Sequence, residues 1–83
     1  MSKWEKLLAR ICALDKGMRC HELRKVLESY GYEMKRPAGG SSHCTFRKAG
    51  RNPITIRMHE PIKTVYVEMV KAVIETEESY ENN

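Results

Sequence analysis

Gly39-Gly40-Ser41-Ser42-His43-Cys44-Thr45-Phe46-Arg47 is the stretch on which the reading of this chain turns. Two glycines and two hydroxyl residues lead into a histidine. From there polar and apolar residues alternate, the period of a half-buried strand, which predicts a strand from about Ser42 to Lys48. Pro37-Ala38-Gly39-Gly40 cannot continue a ladder, so a turn or loop precedes it. Working outward, Tyr32 to Arg36 alternates as a short first strand. Ala49-Gly50-Arg51-Asn52 forms a turn, and a third strand runs from Pro53 or Ile54 to His59, stopped by Pro61.

Successive strand residues point to opposite faces. Cys44 and Phe46 share one face of the middle strand; Ile54, Ile56 and Met58 share one face of the next. These are the core sides. The other faces carry His43, Thr45 and Arg47, and Thr55, Arg57 and His59, which together predict an exposed, basic sheet surface.

Helices account for the remainder. Ser2-Lys3-Trp4-Glu5 has the form of a capping box, and Trp4, Leu7, Leu8, Ile11 and Cys12 follow at helical spacing, giving a helix over Lys3 to Leu14 broken by Gly17. A second helix spans Cys20 to Tyr30 with Leu23, Val26, Leu27 and Tyr30 inward and Gly31 placed to end it in the left-handed conformation. His21 falls off that face as a surface residue. Thr64 caps a last helix whose predicted buried stripe is Val65, Tyr66, Met69, Val70, Val73 and Ile74. The acidic residues 76–83 read as a frayed tail. The order α-α-β-β-β-α gives an α+β fold, a three-stranded antiparallel sheet with helices packed on one face.

The 83 residues have room for one domain, 1–83, with a small core and a stability of a few kcal/mol. No apolar run approaches the roughly 18 residues of a membrane span, and no signal-peptide pattern opens the chain, so the reading is cytoplasmic with no membrane partner. Cys12, Cys20 and Cys44 are odd in number and lack Cys-x-x-Cys spacing; they read as reduced thiols, with no metal site and no cofactor.

Charge is unevenly distributed. From Met34 to His59 stand Lys35, Arg36, Arg47, Lys48, Arg51 and Arg57 with no acid, whereas beyond Thr64 Lys71 alone faces Glu68, Glu75, Glu77, Glu78 and Glu81. A basic middle and acidic tail point to a polyanion bound by the middle. Histidine is the side chain that exchanges protons nearest neutrality. Among such cations, His43 can take a proton from a ribose 2′-hydroxyl or give one to a leaving oxygen. A structural histidine and a glycine-loop phosphate site also fit these residues. A serine nucleophile does not, because Ser42 and His43 point apart on a strand.

Gly40-Ser41-Ser42-His43, with Phe46 and Arg47 following, resembles the Gly-Ser-His motif of the HicA toxin family, small mRNA interferases. The resemblance runs from about Cys20 to Ile74. It implies a double-stranded-RNA-binding-domain-like fold, mRNA as substrate, a HicB-like antitoxin as partner, and a histidine required for metal-independent endoribonuclease activity. Only His43 inherits the catalytic role; Gly40 and Ser42 inherit the motif around it. Ser41 is an extra residue in that motif, and residues 1–16 form a helix additional to the shortest members. Arg47, Lys48 and Arg57 are the predicted phosphate contacts, with Lys35 and Arg36 weaker. His59 is a strand-end residue that could carry a second proton. The competing function is a non-catalytic RNA-binding module, and a third is a protein-interaction domain.

Overall fold

The computed structural model describes residues 2–35 and 43–81, with side chains described up to residue 79. Its elements are α1 (Lys3–Cys12), α2 (Cys20–Ser29), β1 (Glu33–Lys35), β2 (His43–Arg47), β3 (Ile54–Arg57) and α3 (Thr64–Glu81). This is the predicted α-α-β-β-β-α order. The sheet runs β1-β2-β3 with both pairs antiparallel.

Local chemistry explains most boundaries. The Glu5 amide donates to Ser2 Oγ at 3.1 Å, the serine cap expected at the start of α1. The helix ends earlier than predicted, at Cys12 with Ala13 as its cap, because Leu14 turns left-handed with φ 56°. Its side chain packs against the core, and that contact offsets the steric cost of a non-glycine residue there. Gly31 adopts φ +94° just beyond α2, as its position required. At the start of α2, Glu22 accepts from the Arg19 amide at 2.9 Å and from Arg10 at 2.6 Å, so one carboxylate both caps α2 and fastens it to α1.

One core lies between the sheet and the helices. Phe46 and Ile56 are fully buried from the sheet; Leu23, Val26 and Leu27 meet them from α2, and Val67 and Val70 from α3. Burying Phe46 alone contributes about 1.5–3 kcal/mol. The stripe on α3 needs correction: Val67 is buried, whereas Val65 and Met69 are exposed. Apolar residues surround the first turns of this helix, so periodicity alone does not set its rotation.

α3 runs on past residue 76. The helix continues to Glu81, and Glu77 is only 6% exposed. Lys48 Nζ and Arg51 Nε each donate to its carboxylate at 2.9 Å. The β2–β3 turn is thereby tied to the last helix. These two donors, Lys48 first, hold the Glu77 carboxyl below the usual glutamate range against the opposing effect of burial.

The connection from β3 to α3 is anchored too. The Ile62 amide donates to the Met18 carbonyl at 3.0 Å, and the Cys20 amide donates to Glu60 Oε1 at 3.0 Å. That backbone bond is the main reason the Glu60 carboxyl sits below its ordinary value. Residues 58–63 are therefore held against the start of α2. Among the described residues no helix is long and apolar enough to cross a membrane.

Candidate active site

β2 and β3 present their side chains as the alternation predicts. Cys44 and Phe46 are buried while His43 and Arg47 are exposed; Ile54 and Ile56 are buried while Thr55 and Arg57 are exposed. The register makes this face specific. His43 stands directly opposite Arg57, and Thr45 opposite Thr55, their hydroxyls 3.1 Å apart. Directly opposed residues of an antiparallel pair lie on the same face, with Cβ atoms about 5 Å apart. On the other side, Lys35 faces Thr45 and Glu33 faces Arg47.

The open face thus carries three rows. His43 and Arg57 form one end, Lys35, Thr45 and Thr55 the middle, and Glu33 and Arg47 the other end. Glu33 is its single acid among the described residues, 3.5 Å from Lys35 Nζ. Both partners are well exposed, so the pair is worth little and leaves Lys35 available to a stronger anion. Opposite charges face each other at Glu33 and Arg47, which supports the β1–β2 ladder.

Lys48 does not belong to this surface. It continues the parity of Cys44 and Phe46, and its ammonium lies on the covered side, bonded to Glu77 and 5.9 Å from the centre of the Tyr32 ring. The residue expected to contact phosphate is paired with Glu77 instead of lying on the open face. Its alternation with Phe46 was visible in the sequence and would have placed it on the covered side. Burial is the first cause that pushes the Tyr32 phenol above its ordinary value, with Glu77 second.

Gly40, Ser42 and Arg36 lie outside the described residues. His59 lies beyond the end of β3, exposed, with Arg57, Pro61, Lys63 and Tyr66 around a cleft of about 140 Å³. Tyr66 was assigned to the buried stripe but is half-buried and lines this cleft. His21 is exposed on α2, away from the sheet's open face. The cysteines are free, Cys12 exposed and Cys44 buried. Among the described residues no group of three His, Cys, Asp or Glu is placed to hold a metal ion.

A sheet closed by helices on one side and bearing a histidine among cations on the other defines a small α+β domain with a surface suited to a polyanion. Its family follows from comparison with known proteins. The family model described as "HicA toxin of bacterial toxin-antitoxin" matches residues 20–76, more than half of the chain, and the chain belongs to that family. The match leaves α1 outside. The family consists of toxins of toxin–antitoxin pairs and is known for mRNA interferase activity, which implies RNA as substrate and an antitoxin as partner. Neither the curated proteins nor the solved structures include a match to this chain.

Proposed function

We propose that this protein is a metal-independent endoribonuclease that cleaves mRNA, with His43 as general acid/base and a HicB-like antitoxin covering the site in the resting cell. The observation that carries this reading is the position of His43. It is exposed at the first residue of β2, directly across from Arg57, on the one sheet face that the helices leave open.

The chemistry uses what that face supplies. RNA lies across it with phosphates near Arg57, Lys35 and Arg47, contacts that position the backbone without reading sequence. His43 accepts the proton of the attacking 2′-hydroxyl while water protonates the departing 5′ oxygen, or donates to that oxygen while water takes the 2′-hydroxyl proton. The 2′ oxygen bonds to phosphorus, the P–O5′ bond breaks, and the products are a 2′,3′-cyclic phosphate and a 5′-hydroxyl. Arg57 presents guanidinium N–H donors and no acceptor, so it stabilises charge on the phosphoryl oxygens rather than transferring protons.

Membership of the family supports the reaction class, and the cationic rows support RNA as ligand. A likeness to double-stranded-RNA-binding domains belongs to this proposal, resting on the family resemblance and the element order. Location in the cytoplasm follows from an mRNA substrate. Incubation with RNA in EDTA tests the proposal: wild type yields cyclic-phosphate ends and His43→Ala yields none. A non-catalytic binding module would instead bind RNA with steep salt dependence and form no product in either protein.

A further inference from the structure

Among the described residues, three of the grooves away from His43 bear on a ligand. One, between α1 and α2, contains Lys3, Lys6, Arg10, His21 and Lys25, but Arg10 is already paired with Asp15 and Glu22. A second, along β3 and α3, is largely apolar and includes Met69 and Ile54. The third is the cleft at the end of β3, and it has a different character. Arg57 comes from the last position of β3, His59 and Lys63 from the connection, and Tyr66 from the first turn of α3.

Among the described residues no carboxylate lines this cleft. Among the described residues Arg57, His59 and Lys63 make no ion pair, whereas Arg10, Arg24, Lys35, Lys48 and Arg51 all do. Guanidinium, ammonium, imidazole and phenol are all able to donate hydrogen bonds. Glu60, next in sequence to His59, is turned to the Cys20 amide and is not in this lining, and donors around a cleft of that kind match one ligand chemistry, a phosphate oxyanion. The connection is fixed by the Cys20–Glu60 and Ile62–Met18 bonds, so His59 and Lys63 are held in place before any ligand arrives.

Arg57 belongs to both places, opposite His43 and lining the cleft. We propose that the cleft is a subsite for a second RNA phosphate, flanking the one cleaved at His43, and that His59 and Lys63 bind this phosphate rather than take part in proton transfer. The inference rests on the ribonuclease reading and deepens it. It implies that the enzyme measures its substrate by backbone length on one side of the cut. A dinucleotide with a single phosphate leaves the cleft empty and is cut poorly.

The test uses the full chain and a short RNA with one ribose among deoxyriboses, so that only one linkage is cleavable. Each flanking phosphate is replaced in turn by an uncharged methylphosphonate. For wild type, one replacement is expected to raise KM about tenfold with kcat within about twofold, the size of one charge-assisted contact. For Lys63→Gln and His59→Gln, exposed positions whose substitution should leave stability within about 0.5 kcal/mol, KM is raised already. The same methylphosphonate then adds less than about twofold. Equal effects of the replacement in wild type and variants overturn the subsite, as does indifference to every flanking position. A fall in kcat rather than a rise in KM for His59→Gln also overturns it. Binding of the same oligonucleotides to His43→Ala, by fluorescence anisotropy, keeps the two readings separate. If wild type cuts nothing while binding still shows the non-additive pattern, the ribonuclease reading falls and the phosphate subsite stands. If cleavage is normal and binding effects are additive, the subsite alone falls.

Discussion

His43 and Arg57 are direct cross-strand partners at the first residue of β2 and the last of β3, both exposed on the face opposite the core. One relationship therefore joins a proton carrier to a permanent cation. Strand pairing sets their relative position, and the core behind them sets the pairing. A one-residue slip of either strand would turn that strand's member of the pair inward and part the two.

The salt dependence of RNA binding should separate true phosphate contacts from structural cations. In a His43→Ala background, Arg57→Gln is expected to lower the slope of log affinity against log salt by about 0.7, the value for one phosphate on single-stranded nucleic acid. Lys48→Gln should leave that slope unchanged. Titrations at several salt concentrations by anisotropy read both.

Glu77 should matter to folding and little to cleavage. Glu77→Gln removes the charge shared by Lys48 and Arg51 and is expected to cost about 1–3 kcal/mol in urea unfolding. Cleavage per folded molecule should stay near wild type, because the ion triad lies on the covered side of the sheet.

The same variant gives a pH signature. Glu77 has a depressed carboxyl in the folded protein, so its contribution is present above the unfolded value of about 4.3 and is lost as pH falls through the folded value. The stability gap between wild type and Glu77→Gln should be full at pH 7 and shrink steadily below about pH 4. A gap that widened on acidification would contradict the pairing.

The rotation of α3 is open to the same kind of check. Val67→Ala should cost about 2 kcal/mol, as a fully buried side chain does. Val65→Ser and Met69→Ser should each change stability by no more than about 0.5 kcal/mol. The reverse ranking would restore the stripe that spacing alone suggests.

Much of this arrangement is readable from the chain because period-two alternation is a strong signal. The open-face set His43, Thr45, Arg47, Thr55 and Arg57 follows from parity alone, with Thr45 half-buried and the others exposed. Ser2 and Gly31 mark their helix ends through capping chemistry. Four features escape such reasoning. Leu14 ends α1 in a conformation that a leucine rarely takes, held by packing distant in sequence. The phase of α3 is hidden by apolar residues on several sides. Glu77 reads as solvent-facing, since carboxylates are seldom buried unpaired, and its partners are 29 and 26 residues upstream. The cleft near His59 depends on the packing of the β3–α3 connection, which no local pattern encodes. Lys48 is different: parity with Cys44 and Phe46 would have placed it on the covered side, but its charge suggested RNA.

The most direct measurement is cleavage of a defined single-stranded RNA by purified protein in EDTA, wild type beside His43→Ala, with product ends identified by mass. The account predicts 2′,3′-cyclic phosphate and 5′-hydroxyl ends from wild type and a loss of at least about a hundredfold in rate for the variant. Equal rates in the two proteins, or no cleavage by wild type, would contradict it.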